Sequence, residues 1–347
     1  MRRNSLFMAA ALLLASLGFT ANAQTTVSGA GSTFIMPFFN MAFQQYANKN
    51  DLKYTYGGIG SGGGIRSLKD KVVDFGASDA YLSNKEISEM PAPVIEFPVC
   101  SGAIVLAFNL PGINNIKLTP AVLVDIYMGK IKNWDDAAIK RLNPSIKFPN
   151  KAITVVYRTD GSGTTAIFTN YLCKVSTEWK SKIGEGKTVN WATGIGAKGN
   201  PGVAGTIDQT VGSIGYVGSE YAFLQKISTV YLQNKAGKFI KPTIASISAA
   251  GKGKMPEDTR EMITNSADPI AYPIAGFTWA IVYKEQNYNN RSLKQAEDLL
   301  KMLEWSLSPE AQQIAAKLNY APLPASVVAL NKRILHSVTY NGKALLK

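Results

Sequence analysis

The chain has 347 residues, 46% hydrophobic and 18% charged, a globular composition that excludes a disordered or fibrous polypeptide. Its formal charge is +13, with the lysines spread along the chain, which reads as a solvated basic surface rather than a nucleic-acid track. A single histidine and two distant cysteines supply no zinc-ligand set.

In chain order, Arg2 and Arg3 precede an uncharged apolar stretch over residues 6–19, and Ala21-Asn22-Ala23 offers small residues where a signal peptidase cuts. Residues 1–23 are therefore expected to be a cleaved signal peptide, leaving 324 residues (347 − 23) with a charge of +11 (13 − 2). No cysteine lies near that cut to carry a lipid, and no later stretch approaches the roughly 18 apolar residues of a membrane span. The expectation is a soluble periplasmic protein. The mature length exceeds what one core usually serves, so two lobes are expected.

Short β-rich runs alternate with helical patterns, which predicts an α/β fold. Strands are expected over 51–56, 72–77, 103–108, 151–157 and 275–283. A short helix should run through Arg66 and Leu68, and another from the 159–165 loop toward Lys174. Thr119 and Pro120 open a helix that Gly129 stops. The glycine-rich stretch 184–218 reads as turns and strand connections. Ser308-Pro309-Glu310 caps a late helix ending near Asn319, and His336 falls in a basic tail. With no repeat, coiled coil or polar linker, a second lobe must be reached through ordered chain crossings. Cys100 and Cys173 could pair in an oxidising compartment, yet both sit in apolar sequence where buried free thiols are common.

Three segments share one design: Ser28-Gly29-Ala30-Gly31-Ser32-Thr33-Phe34, Gly58-Ile59-Gly60-Ser61-Gly62-Gly63-Gly64, and Thr159-Asp160-Gly161-Ser162-Gly163-Thr164-Thr165. Each is a Gly, Ser and Thr loop placed to open a helix. Helix N-termini present unpaired N–H donors, glycine allows close approach, and hydroxyls add donors, so the three together suit an oxyanion. Asp79 and Arg158 each follow a strand, where ligands of open α/β sheets sit. Arg158 can grip an oxyanion. A carboxylate there suits only an anion that carries a proton: a protonated phosphate donates to it, whereas sulfate would set two acceptors face to face.

These stretches carry a resemblance. GAGSTF, GIGSGGG, VDFGASDA, LTPAVLVDIYMGKIKNWDD, VYRTDGSGTT, GSIGYV, AYPIAGFTWAIVYK and SPEAQQIAAKLNYAPLP run in order over nearly the whole mature chain. They resemble the PstS family, the periplasmic phosphate-binding proteins of phosphate ABC importers. The resemblance implies a two-lobed, type II-like periplasmic-binding-protein fold, each lobe a mixed sheet flanked by helices. Lobe I would be 24–108 with 278–347 and lobe II 109–277, joined by hinge strands near Asn109 and 272–277. It implies a phosphate site of Thr33, Phe34, Ser61, Asp79, Arg158, Ser162, Gly163 and Thr164, with Asp160 paired to Arg158. It also implies a monomer with no cofactor and no catalytic residue, delivering phosphate to the permease subunits and cytoplasmic ATPase of an importer. A bond between Cys100 and Cys173 would then tether the lobes. The chain departs from relatives at Gly62, where Ser is frequent, and at Tyr81, where Pro is frequent.

Other classes fit less well. Gly58, Gly60 and Gly63 satisfy G-x-G-x-x-G after a strand, with Asp79 beyond, as in dinucleotide enzymes. The connection to the next strand is short for the usual crossover helix, and the other donor loops would go unused. A Ser-His-Asp hydrolase lacks a base, since His336 is the only histidine. Within the binding class, arsenate and sulfate remain alternatives to phosphate.

Overall fold

The computed structural model describes residues 24–346, so the expected signal segment lies outside the described residues. The strands are β1 (Thr26–Gly31), β2 (Lys53–Gly58), β3 (Phe75–Ser78), β4 (Val94–Phe108), β5 (Asn115–Leu118), β6 (Thr154–Arg158), β7 (Ile195–Ala197), β8 (Ser213–Gly218), β9 (Ser228–Gln233), β10 (Phe239–Ile240) and β11 (Ala275–Tyr283). They form one mixed sheet along the path β2-β1-β3-β11-β4-β8-β6-β7, with β9 also on β4 and carrying β5 and β10. Helices flank both halves.

β4 determines the architecture. It is 15 residues long, and every residue from Phe97 to Phe108 is buried. Up to Ala103 it pairs antiparallel with β11; from Ile104 it pairs with β8. One strand thus belongs to two half-sheets. The first holds β1, β2 and β3 in parallel, and the second holds β6 parallel to β7 and β8. Only the 103–108 half of β4 is legible as an apolar run. Pro98 and Ser101-Gly102 break the pattern earlier, and Pro98 is accommodated because the β4–β11 register shifts between Thr278 and Trp279, leaving Val99 without a partner.

Several expectations hold closely. β11 spans 275–283, Thr119 caps the Pro120–Tyr127 helix, and Ser308 caps the Pro309–Lys317 helix. Others need correction. Ser28 to Gly31 are the end of β1, with Gly29 to Gly31 paired on both sides, so the first loop is only Ser32 to Phe34 plus Ile35. The stretch 184–218 is not merely turns: Gly199–Gln209 is a helix, opened by Gly199 at φ +68° with Pro201 in its first turn, burying Val203, Ala204 and Ile207. Glycine and proline hid a pattern that proline at a helix start in fact signals. His336 is not in a tail; it ends the Ala325–His336 helix and bonds to Glu304 at 3.0 Å. Both cysteines are free, Cys100 buried and Cys173 half-buried.

The Ser61–Lys69 helix lies hard against β1. A Cβ on Gly64 would come within 2.4 Å of both the Ala30 carbonyl oxygen and Gly31 Cα. Backbone there cannot yield, so Gly64→Ala should destabilise by about 1–3 kcal/mol despite the helix-propensity gain of about 1 kcal/mol. Urea unfolding checks this; a neutral or stabilised variant would refute the close packing.

Candidate functional site

Every sequence-predicted site residue converges at the carboxyl ends of β1, β2, β3 and β6. The segments come from both halves of the sheet and touch. Gly62 N–H donates to the Gly161 carbonyl at 2.9 Å, so the second and third loops meet backbone to backbone. A Cβ on Gly60, already at φ +84°, would lie 2.3 Å from Asp160 Oδ2. Glycine is required there on both counts.

The hydroxyls are held in a consistent way. Thr33 Oγ1 accepts from Asn200 N and Nδ2, both at 3.0 Å. Ser61 Oγ accepts from Asp79 N at 3.2 Å and Gly163 N at 3.0 Å. Thr164 Oγ1 accepts from Arg158 Nη1 at 3.3 Å and Asn200 Nδ2 at 3.1 Å. A hydroxyl has two acceptor lone pairs and one proton, so each of these is left as a donor. Ser162 Oγ caps its helix by accepting Thr165 N–H at 3.0 Å. In that first turn Gly163 N–H goes to Ser61 and Thr165 N–H to Ser162, which leaves Thr164 N–H as the orphan donor.

The first loop presents donors because tyrosines hold its carbonyls. Tyr56 donates to Ser32 O at 2.8 Å, Tyr221 to Thr33 O at 2.5 Å, and Tyr320 to Phe34 O at 2.5 Å. Phe34 N–H itself is taken by Ser32 Oγ at 3.0 Å. Arg158 is buried and paired in a fork: Nε to Asp160 Oδ1 at 2.8 Å and Nη2 to Asp160 Oδ2 at 2.5 Å. Asp160 Oδ1 also accepts Gly199 N–H at 2.9 Å. Burial alone would raise the Asp160 carboxyl, but the Arg158 bonds and charge outweigh it and hold the group below the usual range.

Asp79 is the lone acceptor. Its Oδ1 accepts from Ser32 Oγ at 2.5 Å and Thr278 Oγ1 at 2.7 Å. Burial pushes its carboxyl up to about 6, against the pull of those two hydroxyls and of Arg158 and Lys187. Glu220, buried nearby with neither carboxyl oxygen bonded, is driven well above the ordinary range by burial and by Asp79. At the rim, Lys187 Nζ reaches Glu86 at 2.8 and 2.9 Å, while the Lys187 carbonyl accepts Ser162 N–H at 2.8 Å.

The site thus offers neutral donors, one guanidinium paired to Asp160, and the Asp79 carboxylate with a free oxygen, which suits a small oxyanion. Among the described residues no group of His, Cys, Asp or Glu could hold a metal ion. Sequence reasoning missed Ser32 and Thr278 as supports of Asp79, Asn200 as the shared donor to Thr33 and Thr164, and the Lys187–Glu86 pair. Thr278 had a signal, the one aliphatic hydroxyl in the run AGFTWAIVY; Asn200 stood in the stretch read as turns.

The comparisons agree with this architecture. A family model described as the PBP superfamily domain matches residues 20–310. A relative from Xylella fastidiosa, the phosphate-binding protein PstS, is 40% identical over 307 residues, covering 87% of this chain and 82% of its own. Its Pasteurella multocida counterpart of the same name is 37% identical over 326 residues, 92% of each chain. A phosphate binding protein from Stenotrophomonas maltophilia, solved by crystallography, superposes with a TM-score of 0.67 at 17% identity, over 92% of this chain and 96% of that one, which bears on fold alone. A superfamily match over most of the chain, joined to close relatives aligned nearly end to end, places this protein in the PstS family of the periplasmic-binding-protein superfamily.

Proposed function

We propose that this protein is a periplasmic solute-binding protein that captures inorganic phosphate and delivers it to the permease subunits of an ABC importer, performing no chemistry of its own. The observation that carries the reading is Asp79. Its Oδ1 is filled by two protein hydroxyls, whereas no donor among the described residues reaches Oδ2. A buried carboxylate left one oxygen short, among donors from three loops, suits a tetrahedral anion that brings a proton. The contacts are Thr33, Phe34, Ser61, Asp79, Arg158, Ser162, Gly163 and Thr164, with Asp160 orienting Arg158. In this reading Phe34 N–H leaves Ser32 or is shared with the anion. No cofactor is needed, the protein works as a monomer, and the 1–23 segment directs secretion.

Lobe I would comprise 24–108 and 278–347, and lobe II 109–277. In support, β4 exchanges partners between Ala103 and Ile104 and the chain returns through β11, next to the hinge positions Asn109 and 272–277. Lys187–Glu86 and Gly62–Gly161 then join the two lobes, so the described state is closed. A shared anion adds donors from both lobes and drives the same hinge motion. The dinucleotide alternative fits poorly, because the motif's Gly60 packs on Asp160 and the neighbouring Gly62 on Gly161, so protein fills the space beside that loop.

Titration calorimetry tests the function. Phosphate should bind more tightly than sulfate by on the order of 10⁴-fold, and Asp79→Asn should erode that ratio more than it weakens phosphate binding. Equal binding of the two anions would remove the role of Asp79. The same substitution has a stability consequence. A carboxyl raised from 3.8 to about 6 binds more protons folded than unfolded, so the ligand-free fold loses stability as pH rises through that window. At neutral pH Asp79→Asn should therefore stabilise the ligand-free protein, by about 2–3 kcal/mol if the full shift is relieved, read as a higher Tm. An unchanged Tm, or a gain that persists at pH below about 4, would contradict this.

A further inference from the structure

We propose that Thr278 is a specificity-determining residue that never touches the ligand: by donating to Asp79 Oδ1 it keeps this carboxylate an acceptor, so discrimination against unprotonated oxyanions depends on it. The inference rests on the phosphate reading above and goes beyond it, because it assigns selectivity to a residue outside the contact set.

The geometry is specific. Trp279 pairs with Ser78, so Thr278 stands opposite the residue after Ser78, which is Asp79. The register shift between Thr278 and Trp279 lies at that point of β11, and Thr278 is fully buried in an otherwise apolar strand. Its hydroxyl makes one side-chain bond, 2.7 Å to Asp79 Oδ1. A threonine proton donated to the carboxylate is not available to the anion, and Oδ1 is already occupied by two donors. Oδ2 is left to test the ligand. Protonate Asp79 and the test inverts: the carboxylic acid donates, and sulfate gains a partner where it had a repulsion.

Burial pushes Asp79 toward protonation, and Arg158 of β6, Lys187 before β7 and the Ser32 and Thr278 hydroxyls oppose it. Glu220 and Tyr221 from the Ser219–Leu224 helix, Tyr56 of β2, Cys100 of β4 and Tyr320 also face Asp79, and burial together with its charge favours their neutral forms. Ser32 is a poor probe because its Oγ also accepts Phe34 and Ile35 N–H groups. Thr278→Val removes the donor alone and keeps a β-branched residue suited to the strand.

The experiment is calorimetric titration of phosphate and sulfate on the parent protein, Thr278→Val and Thr278→Ser, at about pH 7 and about pH 9. Loss of one hydrogen bond to a charged acceptor should raise the carboxyl by about one unit, so the phosphate-to-sulfate ratio of Thr278→Val should fall about tenfold at pH 7 and recover at pH 9. Thr278→Ser should keep the parent ratio at both. If Thr278→Val does not fold, Thr278→Ala is used, with the same expectation. A ratio that matches the parent at both pH values overturns the proposal. So does an equal, pH-independent loss of both anions, which marks a structural role. A parent protein with no phosphate preference overturns the underlying functional reading instead, and this inference with it.

Discussion

A hydroxyl that already accepts two N–H bonds has only one direction left for its proton. Thr33, Ser61 and Thr164 are each in that position, and the rest of the site is arranged around keeping them there. Asn200 serves two of them at once, bonding Thr33 and Thr164 through one amide nitrogen, and its own oxygen is fixed by Gly218 N–H at 3.0 Å. Because Thr33 and Thr164 come from different halves of the sheet, that single amide couples the two halves through the donors themselves. The pre-set orientation costs nothing further when an anion arrives, which is what preorganisation means energetically.

The fold supplies the other constraint. β4 lets two half-sheets share one backbone, with β11 beside its first half and β8 beside its second. The loops at the carboxyl ends of β1, β2, β3 and β6 thereby meet at one place. The glycines at Gly60, Gly62 and Gly161 allow that meeting to reach backbone contact.

Much of this was legible in the sequence, because caps, turns and apolar runs are local. Thr119-Pro120, Ser308-Pro309 and the apolar run of β11 each specify an element within a few residues. The donor loops were readable for the same reason. What escaped was set by pairing between distant segments. The first half of β4 carries Pro98 and Gly102, and only the bulge opposite β11 makes it a strand. The Gly199–Gln209 helix begins with residues that elsewhere mark turns, and it is held by packing on β6 and β8. Ser32 and Thr278 become meaningful only when β1 and β11 set them beside Asp79 at the end of β3. Single-residue chemistry could nominate Asp79 and Arg158; it could not say which neighbours would tune them.

The pairing of the site's one guanidinium inside the donor cage has a physiological consequence. Arg158 is cancelled by Asp160 within the site, and most of the remaining grip comes from dipoles that are buried and fixed. Mobile ions weaken attraction between exposed charges over distances beyond about 8–10 Å, but they do not screen a hydrogen bond inside a closed cavity. A receptor built this way keeps its hold when the surrounding ionic strength swings, and an envelope compartment open to the outside medium is where that tolerance matters most.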